Sequence, residues 1–299
     1  QSLDGVIPDY SVLSHDLLEG CYVRTGLATD VELVDAFPAR YNSYIMRMHR
    51  WVRGDWQLIK WLGSGVLSPL SKWKIGDNLR RSLVSPALLL LITLGLTVFP
   101  GKPCFWLGLS LLTVGFPLIM GFIEFILFKH YKTEWKKCHG NMVFGIKAVL
   151  YQVVLIWLFL PYQAYMMGDA VIRTLYRVFF SRKHMLEWVT AADAERNSKN
   201  DAGSYFRAMF PSLLYGVLLL GMVYFLRPEN IYYALIGCLI WSGAPYLAFY
   251  ISKPDQKKDS PLSAEAQGQL REWAEKIWLF YEDFAGAGDN FLPSDNFQE

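Results

Sequence analysis

The sequence predicts a mainly α-helical membrane protein whose membrane segments follow a water-exposed region. Of its 299 residues, 53% are hydrophobic and 16% aromatic, and the mean hydropathy is +0.20. These values are high for a soluble domain. Five segments without Lys, Arg, Asp or Glu are each long enough to cross a bilayer as a helix of about 20 residues; they are 82–101, 103–123, 148–168, 208–226 and 231–252.

The charged connections between these segments predict their topology. Lysine and arginine are frequent after 103–123, after 148–168 and after 231–252. Because positively charged loops prefer the cytoplasm, both flanks of 148–168 are expected on that side. This segment is therefore predicted to form a re-entrant or interfacial helix packed on protein. The expectation is about four transmembrane helices plus interfacial helices, and a simple fifth span is the alternative.

The remaining regions define three predicted domains. Residues 1–82 form the aqueous region, 83–252 the membrane region, and 253–299 a linker and an amphipathic helix. That helix is predicted from about Ser263 to Phe284 by the spacing of its apolar residues. It needs a partner surface, so a further soluble domain of the same polypeptide is expected to begin near it. Residues 173–195 are also predicted to be amphipathic and interfacial.

Charge and cysteine usage exclude some classes of function. The net charge of +2 gives no field that favours a nucleic-acid partner. The four cysteines are scattered and lack the spacing of metal ligands or of a disulfide framework, so no metal site is predicted in this chain. The chain is expected to be a fragment of a longer protein, because it begins within a region that carries motifs.

Three residues have the chemistry that an inverting glycosyl transfer needs. Such a reaction requires a base for the acceptor hydroxyl, positive charge for the leaving diphosphate, and a platform for the sugar chain. Asp16 is the candidate base, Arg50 the candidate diphosphate ligand, and Trp51 the candidate platform. The alternatives are that Asp16 is a cap or turn residue, and that Arg50 and Trp51 only anchor the chain at the membrane interface.

At these positions the sequence resembles the processive family 2 glycosyltransferases, which include the cellulose, chitin and hyaluronan synthases. The matching segments are Ser14-His15-Asp16, Arg24-Thr25-Gly26, Asp35-Ala36-Phe37-Pro38 and Arg47-Met48-His49-Arg50-Trp51. Two positions depart from the pattern: His15 replaces the usual Glu, and Arg47 replaces the usual Gln. The Arg-Trp pair is intact.

The amino-acid sequences of residues 14–21, 49–57 and 292–299 are still more similar to those of the bacterial cyclic β-1,2-glucan synthases, which are very large inner-membrane proteins. This resemblance implies that the chain holds the C-terminal piece of a GT-A-like α/β glycosyltransferase domain, followed by the membrane helices and the start of another domain. It implies UDP-glucose and a growing glucan chain as substrates. It also implies a multi-pass protein of the inner membrane with its catalytic side in the cytoplasm.

The resemblance also assigns roles to residues. Asp16 is the expected base, and Arg50 and Trp51, with Arg47 and His49 beside them, are expected to bind the diphosphate and the acceptor. The expected supporting residues are His15, Glu19, Arg53, Asp55, Trp56 and Gln57. The whole enzyme is expected to use Mg²⁺ or Mn²⁺, whose Asp-x-Asp ligands should precede Gln1, so this chain alone should not bind UDP-glucose normally.

Two other functions fit the sequence. One is a membrane scaffold or polymer-export module, which would not depend on Asp16 or Trp51. The other is a polysaccharide synthase of the cellulose or chitin type, which the linkage of the product would distinguish. Arg80 and Arg81 directly precede the first apolar segment, and they are expected to be cytoplasmic anchors of that segment.

Overall fold

The computed structural model describes residues 7, 12–13, 16–23, 38–127, 135–187, 201–253, 261–287 and 291. All regular structure in these ranges is helical, and no strand is assigned among them. The predicted helical character is therefore confirmed. The α/β piece of a GT-A-like domain is not found in this part of the chain, and residues 24–37 lie outside it. The chain divides into two compact units, Gln1–Lys253 and Pro254–Glu299.

The first unit consists of consecutive helices. Two 3₁₀ turns, Leu58–Gly63 and Pro228–Asn230, lie between them, and a π-helical turn, Arg177–Ser181, extends the seventh helix. The α-helices are α1 (Asp16–Tyr22), α2 (Tyr41–Gln57), α3 (Pro69–Ser82), α4 (Val84–Thr97), α5 (Pro103–Leu127), α6 (Trp135–Leu158), α7 (Leu160–Tyr176), α8 (Ala202–Ala208), α9 (Phe210–Leu226) and α10 (Ile231–Ile251).

Three buried clusters form the interior of this unit, and the smallest packs Leu18 of α1 against Leu58 and Ile75. The first joins α2 to α7, and its buried members include Tyr41, Ile45, Val52, Phe159, Tyr162 and Met166. The backbone N–H of Tyr41 also donates to Ser252 Oγ at 2.9 Å, which ties the start of α2 to the end of α10. The second cluster joins α4, α9 and α10 to the start of α7, and includes Leu88, Ile92, Leu96, Leu160, Leu219 and Trp241. Helices α7 and α10 both contribute buried residues to these two clusters.

Among the described residues, Pro228–Ile251 is the one unbroken helix long and apolar enough to cross a membrane. Three further candidates are pairs of helices with a bend between them: α3 with α4 (45°), Lys147–Leu158 with Leu160–Ser181 (73°), and α8 with α9 (53°). The expected number of about four crossings lies at the upper end of this range of one to four. Within α5, Pro103–Pro117 qualifies as a shorter apolar helix.

The segment predicted not to cross, 148–168, contains the sharpest of these bends. Pro161 has no N–H, so the carbonyl of Trp157 cannot receive the usual helical hydrogen bond from it. The indole Nε1 of Trp241 instead donates to that carbonyl at 3.3 Å. A tertiary contact thus satisfies a backbone group that the break exposes. This geometry is compatible both with a re-entrant element and with a broken span.

The region 173–195, predicted to be amphipathic and interfacial, is described as far as Glu187, and that prediction stays untested. Helix α7 continues through Tyr176 and the π-helical turn as far as Ser181, and the chain leaves the helix at Arg182, whose φ is 51°. On the surface of this helix Asp169 and Arg173 form an i,i+4 ion pair of 2.8 Å. Residues 188–195 lie outside the described part of the chain.

The second unit contains the predicted amphipathic helix, α11 (Ala264–Phe284). Its start is fixed by Ser263, whose hydroxyl oxygen accepts a hydrogen bond from the N–H of Ala266 at 3.2 Å. The helix is therefore confirmed with the predicted bounds. Its exposed residues include Leu270, Trp273, Ile277, Trp278 and Tyr281.

Cysteine labelling tests the topology around the bend. In a cysteine-free background, single cysteines at Lys147 and Lys183, both exposed, are expected to label from the same side of the membrane if 148–168 is re-entrant. A cysteine at Glu229, in the exposed turn between α9 and α10, serves as the reference for the opposite side. Labelling of Lys147 and Lys183 from opposite sides would instead mean that this segment crosses.

Candidate functional site

Helix α2 carries all the predicted site residues between Arg47 and Gln57. A helix places residues three or four apart on one face, so this motif is divided between faces. Tyr44, Met48, Trp51 and Asp55 form one stripe and line a cavity. His49, Arg53 and Gln57 form another stripe and are buried.

The cavity brings Asp16 and Trp51 together. It has a volume of about 460 Å³, within the range of roughly 300–1,000 Å³ that is common for small-molecule sites. Asp16 is the exposed first residue of α1, and Trp51 is 40% exposed. Helices α1, α2, α3 and α7 and the start of α4 all contribute to the lining, which consists of Asp16, Leu17, Tyr44, Ile45, Met48, Trp51, Val52, Asp55, Asn78, Arg81, Ser82, Ser85, Gln163 and Met167.

The two arginines of the motif do not line this cavity. The guanidinium carbon of Arg47 lies 4.7 Å from the centre of the Trp51 ring, so a cation covers the indole. Arg50 is partly buried on the same helix, and neither arginine is among the residues that line the cavity. The predicted base and the predicted platform thus line one cavity, whereas the predicted diphosphate ligand, Arg50, is not part of its lining.

A polar network forms part of the cavity wall. Asn78 Nδ2 donates to Asp55 Oδ1 at 2.9 Å, and Arg81 donates to the amide oxygen of Asn78. Arg81 also pairs with Asp77 at 3.3 Å. Burial raises the pKa of the Asp55 carboxyl, and the Asn78 hydrogen bond and the Arg81 charge offset part of this effect. The nearby indole of Trp56 donates to Ser82 Oγ at 2.8 Å, which holds α2 against α3.

The second stripe of α2 packs against α7. His49 Nε2 lies 2.8 Å from Asp169 Oδ2, and Asp169 also accepts two hydrogen bonds from Arg173. Burial lowers the pKa of His49, and the bond to Asp169 offsets part of that shift. These contacts give His49 a structural role in joining the two helices.

Two further residues of this stripe, Arg53 and Gln57, are also buried. Arg53 is buried, and burial together with the charge of Arg177 lowers its pKa. Gln57 accepts from the N–H of Leu13 at 2.6 Å and donates to the carbonyl of Met185 at 2.8 Å. Gln57 thus links α2 to the segments before α1 and after α7, and its supporting role in the reaction stays a prediction.

Several other predicted residues are away from the cavity or outside the described ranges. Glu19 is exposed on α1 and does not line the cavity. His15, the segment 24–26 and residues 35–37 lie outside the described residues, so their roles stay predictions. No group of three or more His, Cys, Asp or Glu side chains that could hold a metal is found within the described ranges.

Sequence reasoning did not assign Asn78, Arg81 or Gln163 to the site, and it gave Asp55 only a supporting role. The spacing of Trp51 and Asp55 by four residues within a helix was the available signal for Asp55. Arg81 directly precedes an apolar segment, as a membrane anchor does. Only the packing of α3 against α2 shows that it reaches the cavity. Gln163 belongs to a helix more than a hundred residues later in the chain.

The buried His49 predicts a pH-dependent stability. Its folded-state pKa is lower than the ordinary value of 6.5, so the neutral imidazole stabilises the fold above about pH 6.5. This contribution is lost as the pH falls through the lowered pKa. The thermal midpoint of the wild-type protein is expected to drop more between pH 7.5 and 5 than that of His49→Gln. The exposed His184 provides the control His184→Gln, which should follow the wild type; equal pH dependence in all three proteins would contradict this role.

Comparison with known proteins identifies a relative along the whole chain. No protein-family model matches the sequence. The chain is 37% identical over 302 aligned residues to the cyclic beta-(1,2)-glucan synthase NdvB of Rhizobium meliloti (strain 1021). The match covers 100% of this chain and 11% of that protein. The resemblance to bacterial cyclic β-1,2-glucan synthases is therefore confirmed, and this chain is similar over its entire length to a small part of one.

Proposed function

We propose that this chain is the acceptor-side part of a processive, inverting glycosyltransferase that elongates β-1,2-glucan from UDP-glucose for cyclic glucan synthesis. The observation that carries the proposal is the single cavity lined by both Asp16 and Trp51. The similarity to a protein named as a cyclic β-1,2-glucan synthase supports the type of reaction, the sugar and the linkage.

Asp16 is proposed to act as the general base. Its carboxylate accepts the proton of an acceptor glucose hydroxyl, and the hydroxyl oxygen then attacks the anomeric carbon of UDP-glucose. The bond from that carbon to the diphosphate oxygen breaks, and UDP leaves with the electron pair. A base must lie within hydrogen-bond reach of the proton it removes, and the exposed position of Asp16 at the cavity permits this.

Trp51 is proposed to hold the acceptor, and Arg50 to stabilise the leaving diphosphate. An indole offers a flat apolar surface to the C–H face of a sugar, and the Arg47 guanidinium keeps the ring in place. Arg47 lies against the Trp51 ring, and Arg50 follows three positions later on α2. A guanidinium binds phosphate oxygens through two donors at once. The diphosphate is thus assigned to these arginines and the acceptor to the cavity.

The rest of the enzyme is proposed to supply what this chain lacks. Mg²⁺ or Mn²⁺ would bind UDP-glucose through ligands elsewhere in the polypeptide, and no step assigned here depends on that metal. The apolar helices support a membrane protein. The inner membrane is proposed from the resemblance to the cyclic β-1,2-glucan synthases, and a cytoplasmic catalytic side is consistent with the charge of the loops. The partners are then the bilayer, UDP-glucose, the growing glucan and the other domains of the same chain.

The first test replaces the base. Membranes that carry the full-length parent protein with Asp16→Asn are expected to lose β-1,2-glucan synthesis from labelled UDP-glucose by about 10²–10⁴-fold, because the amide cannot take up the proton. Asp201→Asn is the matched control, since Asp201 also begins a short helix and asparagine caps helices equally well. If Asp16→Asn gives the wild-type yield, Asp16 is not the base, and a scaffold or export role is favoured. Product of another linkage would favour a cellulose- or chitin-type synthase.

A second test replaces the platform. Trp51→Ala is expected to reduce glucan synthesis on the order of tenfold or more, equivalent to about 1.4 kcal/mol of lost transition-state binding, while Trp51→Phe keeps part of the activity. Trp73→Ala removes an equally large exposed indole outside the cavity and controls for effects at the membrane interface. If Trp51→Ala and Trp73→Ala have the same effect, Trp51 is an interfacial anchor.

A further inference from the structure

The cavity contains a polar group that the assigned catalytic residues do not use. Asp55, Asn78 and Arg81 all line it, and hydrogen bonds connect them in that order. They come from two helices, α2 and α3, whose packing brings them together. The network is therefore a feature of the tertiary structure.

The Asp55 carboxylate retains capacity to accept hydrogen bonds. Within the described residues, Asn78 supplies it with one hydrogen bond, of 2.9 Å, whereas the two oxygens of a carboxylate have about four acceptor sites. A half-buried carboxylate is costly unless its oxygens are paired. Because Asp55 lines the cavity, a donor that enters the cavity can supply the missing bonds.

The charge of the lining indicates which substrate of the proposed reaction, UDP-glucose or the growing glucan, the cavity binds. The charged residues in the lining are Asp16, Asp55 and Arg81, and Arg81 already pairs with Asp77. The lining is thus more acidic than basic. It repels a diphosphate, and it attracts neutral molecules that donate hydrogen bonds through hydroxyl groups.

The lining also has apolar side chains, which can contact the C–H groups of a sugar. Met48, Trp51, Val52 and Met167 offer apolar surface, while Ser85 and Gln163 add further polar groups. A pyranose has a ring of hydroxyls at its edge and C–H groups on its faces, so it requires both kinds of surface. The volume of about 460 Å³ suits a small saccharide.

We infer that Asp55, Asn78 and Arg81 form the hydroxyl-binding wall of an acceptor subsite, which holds the terminal sugar of the growing glucan while Trp51 supports its apolar face. This inference rests on the proposed function and adds the residues that bind the acceptor. Asp55 and Asn78 bind sugar hydroxyls directly, and Arg81 both orients the Asn78 amide and donates at the rim. Loss of these contacts releases the chain earlier between additions.

Two neighbouring arginines provide a matched test. Arg80 and Arg81 are both exposed and both pair with Asp77, and only Arg81 lines the cavity. Surface ion pairs contribute little to stability, so neither Arg81→Gln nor Arg80→Gln is expected to unfold the protein. In the full-length protein supplied with labelled UDP-glucose, Arg81→Gln is expected to shorten the glucan several-fold with an unchanged KM for UDP-glucose. Arg80→Gln is expected to give wild-type lengths.

Asp55→Asn tests the centre of the wall. The amide oxygen of asparagine can still accept from Asn78, so the fold is retained while the carboxylate is lost. Product length and turnover are expected to fall on the order of tenfold, again with an unchanged KM for UDP-glucose. If glucan lengths in Asp55→Asn and Arg81→Gln equal those of Arg80→Gln while Asp16→Asn abolishes synthesis, the subsite is overturned and the proposed function stands. If Asp16→Asn also leaves synthesis intact, the proposed function itself fails.

Discussion

The packing of α2 on α7 is the contact on which the rest of the site depends. Tyr41, Ile45 and Val52 of α2 are buried in the same cluster as Phe159, Tyr162 and Met166 at the start of α7. Each Å² of apolar surface that is removed from water stabilises the fold by about 25 cal/mol. Burial of this face therefore fixes the rotation of α2 about its axis. Because the rotation is fixed, Trp51 and Asp55 line the cavity while His49 bonds to Asp169 of α7.

That contact also links the candidate site to the membrane region. Helix α7 begins at the 73° bend after α6, and Leu160 at its start belongs to the cluster of α4, α9 and α10. The broken helix is stabilised by hydrogen bonds from distant side chains, such as the one that Trp241 donates to the carbonyl of Trp157. In an apolar environment each unsatisfied backbone group is costly, so such bonds determine where a helix can break. A displacement of α7 would therefore move the wall of the cavity.

Residues that are neighbours in the motif of α2 make different contacts in the structure. Arg47, His49, Arg50, Trp51, Arg53 and Gln57 lie within eleven residues of one another. In the structure His49 and Gln57 make hydrogen bonds to other segments, Trp51 lines the cavity, and Arg47 lies against the Trp51 ring. The division follows from the helical period, which sends residues three or four apart to one face and the residues between them to others. Spacing along the chain therefore predicts which residues share a face of α2. The packing of α2 on other helices determines what each face contacts.

The sequence by itself determined the mainly helical, membrane-associated character of the protein, the helix over 264–284 and the family resemblance. These properties depend on local hydropathy, periodicity and capping, which can be read residue by residue. It also indicated Asp16 and Trp51 by their chemistry and order. Only the tertiary structure decided that these two side chains share a cavity, and that Asn78, Arg81 and Gln163 line the same space. These features arise from contacts between segments far apart in the chain, and no local pattern encodes which of several possible faces will meet.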